Sequence, residues 1–164
     1  MCITLMAAAS PSPALPSTAV TPELLRRHIV DTYPGTDVIE ANGDLFFVHD
    51  PDRDLPDERR LPWATLVTSN VNDTESDLDR PGVYRLNIGL PKADFRELFP
   101  EAGEHDTTAL DVVLPHPVYA AQYWVCVLVP DRTWPAVQDL LERAHAFGVR
   151  KFANAAARRQ DLGT

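Results

Sequence analysis

The sequence predicts an α+β fold: a single antiparallel sheet of about five strands with helices packed mainly on one face. Three observations carry this. Four strand-like runs follow one another between residues 38 and 89, joined by turns and polar loops instead of helices. Helical patterns stand before and after that block, which suits helices segregated to one face of a sheet and excludes a βαβ parallel arrangement. Within residues 83–89, Tyr84, Leu86 and Ile88 share one face while Val83, Arg85 and Asn87 share the other, so one side meets a core and one something wetter.

The elements follow in order. Residues 1–20 include a low-complexity Ala/Ser/Pro stretch that cannot offset the entropy of ordering; they read as a disordered tail before one domain over 21–160. Thr21, Pro22 and Glu23 form an N-cap, an N1 proline and a first-turn acid. Leu24, Leu25, His28 and Ile29 then mark a helical stripe, ended by Tyr33-Pro34-Gly35. Asn42-Gly43 supplies the two positive-φ positions of a type I′ hairpin turn between the strands over 38–41 and 44–49. A polar loop over 50–62, a third strand over 63–69, an acidic loop over 70–81 and a fourth strand over 83–89 follow. Pro91 opens a short helix with Phe95, Leu98 and Phe99 inward. Asp106-Thr107-Thr108 caps a further helical stretch running through Leu110 and Val113. Residues 123–129 are apolar on both alternating faces, which predicts the most buried strand, with Trp124 its largest core side chain. Thr133 caps a final helix whose inner face holds Val137, Leu140, Leu141, Ala144, Phe147 or Gly148, and Phe152; Trp134 is expected on its exposed first turn.

Several of these segments resemble a known family. They are Phe46-Phe47-Val48-His49-Asp50-Pro51, Pro62-Trp63-Ala64-Thr65-Leu66-Val67-Thr68-Ser69, Asp79-Arg80-Pro81-Gly82-Val83-Tyr84-Arg85-Leu86-Asn87-Ile88-Gly89, Pro115-His116-Pro117-Val118-Tyr119 and Gln122-Tyr123-Trp124-Val125-Cys126-Val127-Leu128. Together they resemble an actinobacterial family of unknown function over about residues 21–155, the length of one domain. The excess of Arg over Lys and the Ala-rich start also suit a GC-rich genome. More distantly, a buried Trp strand followed by a long amphipathic C-terminal helix looks like the MmcQ/YjbR proteins. That likeness implies a frataxin-like arrangement, helices on one face of an antiparallel sheet.

Charge narrows the partners. A net charge of −9 repels phosphate backbones, so no nucleic-acid partner is expected. The apolar start, Met1 to Ala9, is too short to span a bilayer and lacks a basic n-region; no membrane partner is expected and the protein reads as cytoplasmic. Cys2 and Cys126 do not make a zinc spacing, and a bridge between tail and core strand is excluded. Gly-rich phosphate loops, a nucleophile elbow and the zincin motif are missing from the sequence. No cofactor and no metal are expected.

The candidate chemistry is sparse. Asp50, Asp52 and Asp54 match the first EF-hand positions, but Leu55 and Leu61 stand where Gly and Glu are required. Asp73, Glu75, Asp77 and Asp79 read as a solvated acidic loop. His105 and Asp106, with His116 and Tyr119, could do acid–base or metal-assisted work, although Asp106 also reads as a cap and His116 as a turn residue. Arg85 and Asn87, with Tyr123, are the candidate ligand contacts, an Arg–Asn pair being able to hold a carboxylate. Cys126 reads as a core thiol, and His28 and His49 as packing residues. The expectation is a binding module for a small molecule or a protein; the alternative is a small enzyme using His105, Asp106, His116 and Tyr119.

Overall fold

The computed structural model describes residues 19–163. The expected tail, with Cys2, lies almost wholly outside them. Ala19 and Val20 lie inside and pack on the core, Val20 donating to the Pro130 carbonyl and accepting from the Tyr84 hydroxyl.

The order of elements is α1 (Pro22–Thr32), β1 (Thr36–Ala41), β2 (Asp44–His49), β3 (Pro62–Val67), β4 (Arg85–Gly89), α2 (Lys92–Leu98), β5 (Val113–Pro115), β6 (Trp124–Leu128) and α3 (Trp134–Leu162). Six strands form one open antiparallel sheet in the order β1-β2-β3-β4-β6-β5. Thr21 caps α1 through its hydroxyl, which accepts from the Leu24 N–H. Asn42 and Gly43 both have positive φ, and Ala41 pairs with Asp44, as a two-residue type I′ hairpin requires.

The helix face of the sheet is the core. Leu45 and Phe47, Ala64 and Leu66, Leu86 and Ile88, and Val125 and Val127 project toward α1 and α3, whose Leu25, Ile29, Val137, Leu141 and Ala144 are buried. The register between β2 and β3 slips by one residue between Phe47 and Val48, so Phe47 faces Ala64 while Val48 faces Pro62. Trp63 is the extra residue of this bulge. Strict alternation from Thr65 would place Trp63 opposite the helices; instead its ring meets Tyr33 and His145 edge-on, and Gly148 of α3 lies against its Cβ and Cγ. It is 3% exposed.

Four expectations are corrected. The helical stretch after Asp106 is loop and then strand: the Asp106 carboxylate turns back onto the Thr108 N–H and hydroxyl, a local turn that competes with helix. The chain reaches β5 soon after and adds a sixth strand. Thr133 does not cap α3 itself. Asp111, at φ 56, accepts from the N–H groups of Asp131, Arg132 and Thr133 and from the Thr133 hydroxyl. Leu98 and Leu24 face solvent, whereas Trp134 is half-buried with its ring edge-on to His28. Finally, Trp124 is only half-buried and stands outside the core cluster, although β6 is internal and its other four residues are buried. Among the described residues no helix is long and apolar enough to cross a membrane.

Candidate functional site

The face opposite the helices carries Asp44, Phe46, Thr65, Val67, Arg85 and Asn87, followed by Trp124, Cys126 and Leu128 on β6. Two segments cover it. One is the loop over 68–84, moored by Asp44, which is fully buried and takes the Thr68 N–H at 3.0 Å and the Asn72 amide at 2.7 Å. The other is the turn after β5, over 116–119. Between them and the sheet is a cavity of about 660 Å³.

Its floor is a buried polar chain. Asn87 donates to the Thr65 hydroxyl at 2.9 Å and accepts from Arg85 Nε at 2.9 Å. Arg85 is 1% exposed; its Nη1 donates to Asp73 Oδ1 and Ser76 Oγ, both at 2.9 Å, and its Nη2 donates to Asp73 Oδ2. The guanidinium thus commits four of its five N–H groups inside the protein. The hydrogen bonds from Arg85 hold the Asp73 carboxyl below the usual carboxylate range. The carboxylate that Arg85 was expected to take from a ligand is therefore supplied internally, and Asp73 is an anchor of this floor instead of part of a solvated acidic loop.

His116 sits beside this chain and is 2% exposed. Its Nδ1 accepts from the N–H groups of Val118 and Tyr119, each at 3.0 Å. Burial, together with the neighbouring Arg85 cation, pushes its pKa down to about 4, although Asp73 pulls the other way. A neutral ring whose Nδ1 accepts must carry its proton on Nε2. His116 therefore offers a fixed donor and no free base. Tyr119 stacks at a tilt on it, centroids 4.9 Å apart.

The walls are apolar. Phe46, Val67, Pro62 and Trp124 line the cavity, with Leu61, Val118 and Tyr119 largely exposed at its rim. Trp124 lies over Gly89, where a Cβ would stand 3.0 Å from Cε2 and Cζ2 of the indole. A side chain there would push the ring aside by a few tenths of an ångström. Cys126 is buried under the floor, its thiol pushed up to about 11 chiefly by burial, which suits a packed thiol.

Of the residues singled out in the sequence, Arg85, Asn87, His116 and Tyr119 line this cavity together. His105 and Asp106 do not: both are exposed on the loop after α2, His105 edge-on to Phe99. Tyr123 points to α2, against Phe95 and under the Lys92 ammonium. Among the described residues no group of His, Cys, Asp and Glu could hold a metal ion. Asp50 of the EF-like loop is 2% exposed and binds the N–H groups of Asp54 and Leu55 within its own turn. His28 and His49 sit in the aromatic packing around Tyr33, Trp134, His145 and Phe152.

Sequence reading missed Asp73, Ser76, Phe46 and Trp124 as parts of the site. An arginine inside an apolar strand was the available signal, because such a cation demands a carboxylate, and the nearest acidic loop lies just before it. No curated protein and no solved structure is significantly similar to this chain. Residues 20–158 match the model of a family of unknown function, DUF6194, and the chain belongs to that family.

Proposed function

We propose that this domain is a non-catalytic binding module that holds a small, mostly apolar molecule with one hydrogen-bonding edge in the cavity on the open sheet face. One observation carries the reading: the rigid polar floor from Thr65 through Asn87 and Arg85 to Asp73 lies beneath apolar walls, beside the fixed Nε2–H of His116. A few placed polar groups within an apolar concavity are what small-molecule sites require. Because Arg85 is already neutralised by Asp73, the floor favours an uncharged hydrogen-bonding edge over a carboxylate.

The reading includes a cytoplasmic protein without a nucleic-acid or membrane partner, in keeping with the acidic charge. The likeness to MmcQ/YjbR proteins rests on the Trp strand followed by the long helix and adds no ligand. An acid–base enzyme using His105, Asp106, His116 and Tyr119 is the lesser proposal, since only His116 and Tyr119 share the cavity.

The test is a fragment screen on the full chain read by two-dimensional NMR. Neutral heteroaromatic fragments should shift the Trp124 indole and the His116 ring signals in a saturable manner. Binders that consistently leave both signals unmoved, or a screen without saturable binders, would remove the proposal.

A further inference from the structure

A second cleft lies on the other side of the sheet edge, between α3 and the loop that precedes β3. Its volume is about 400 Å³. Trp63, Phe152 and Pro62 give it an apolar base, and Arg59, Lys151, Arg158 and Arg159 surround it. Glu58 is the one acid in its lining, so the local balance is three positive charges on a chain of net −9.

Of the eleven other Lys and Arg residues, six are paired with a carboxylate and, among the described residues, five, Arg26, Arg27, Lys92, Arg96 and Arg150, are not. Arg53, Arg60, Arg80, Arg85, Arg132 and Arg143 each have a carboxylate within 4 Å. Among the described residues, none of the four around the cleft forms such a pair, and Lys151 instead lies over the Phe147 ring at 4.4 Å. Burial without a partner pushes the Lys151 ammonium below its ordinary value.

Basic residues near a helix C-terminus are ordinarily explained by the helix dipole, but that effect fades within the last turn. Lys151 stands about three turns before the end of α3. Arg59 comes from a different element, the 3-10 turn Asp57–Arg59. Two separated segments therefore place exposed cations without carboxylate partners around one apolar cleft.

We propose that this cleft is a ligand site for a small dianion carried on a flat apolar body, an aryl phosphate in chemical class. The phosphate would lie among Lys151, Arg158 and Arg59, matched by charge-assisted hydrogen bonds, and the ring would lie on Phe152 and the edge of Trp63. A surplus of three charges exceeds what a single carboxylate neutralises, which favours the dianion. The cleft meets the open-face cavity at Leu61 and Pro62, which line both, but the proposal does not depend on the reading of that cavity.

The experiment titrates phenyl phosphate into the full-length protein, followed by NMR of the tryptophan indoles and backbone amides, with phenol and inorganic phosphate as comparisons. Saturable shifts at the Trp63 indole and the Gly148 amide are expected, with phenyl phosphate tighter than either comparison. Lys151→Gln with Arg158→Gln should weaken binding by about tenfold, the worth of one charge-assisted hydrogen bond. Arg59→Gln, from the opposite wall, should weaken it too and serves if the double variant misfolds. No saturable shift at Trp63, equal binding of phenol, undiminished binding by the folded variants, or shifts confined to Trp124 and His116 would each overturn the proposal.

Discussion

The two faces of the sheet solve opposite problems with the same strands. On the helix face, aliphatic side chains from four strands meet α1 and α3 and exclude water, with Trp63 at the edge of that packing. On the other face the same strands present Thr65, Asn87 and Arg85, yet these are almost as deeply buried, at 9%, 4% and 1% exposure. The first face is stabilised by apolar area removed from water. The second gains little in this way, because a buried ion pair roughly offsets its own desolvation and is costly to break. A sheet needing only stability would carry aliphatic residues there; the polar floor is the feature that the proposed binding reading accounts for.

The two tryptophans make the contrast measurable. Trp63→Ala removes a ring packed among Tyr33, Phe47 and His145 and should cost about 3–5 kcal/mol in urea unfolding. A loss below about 1 kcal/mol would mean that the bulge does not deliver the ring to the core.

On the opposite face, Arg85→Met strands the Asp73 carboxylate beside an apolar strand and should cost about 3 kcal/mol. Adding Asp73→Asn should recover part of that loss, because the orphaned charge goes with it. If the two losses simply add, the pair is not coupled.

His116 adds a pH dependence of fixed sign. Its folded pKa, about 4, lies below its unfolded value of 6.5, so the unfolded chain binds the proton first as pH falls. The stability from keeping it neutral is full above pH 6.5 and is lost between there and about 4, on the order of 3 kcal/mol in all. His116→Asn keeps an acceptor for the two N–H groups but does not titrate. Wild type should therefore lose about 3 kcal/mol more than this variant between pH 7 and pH 4; parallel losses would place the His116 titration near its ordinary value.

The sheet was largely legible in the sequence and its dressing was not. Asn42-Gly43, the Thr21-Pro22 start of α1 and the alternation around Leu86 are local signals, each written in adjacent residues. What escaped depends on distant partners. Asp111 ties down the turn that precedes α3 from about twenty residues away, and Asp106, in a sequence that reads as a cap, closes only its own turn. The three-residue β5 is too short for periodicity to register. Trp63 reaches the core because a single-residue bulge inverts the face it takes, whereas Trp124, in regular register opposite Gly89, falls on the open face by plain alternation. Of the site, Arg85, Asn87, His116 and Tyr119 were visible as residue types; their convergence needed the loop over 68–84 folded across the sheet.

Trp124 tests the central claim most directly, since it separates stability from binding. Trp124→Ala should cost only about 1 kcal/mol in urea, because its ring is half-buried over Gly89 and outside the core. The same variant should lose the saturable binding of neutral heteroaromatic fragments to the open-face cavity. A Trp124→Ala loss as large as that of Trp63→Ala, or unchanged fragment binding, would contradict the division of the sheet into a packing face and a binding face.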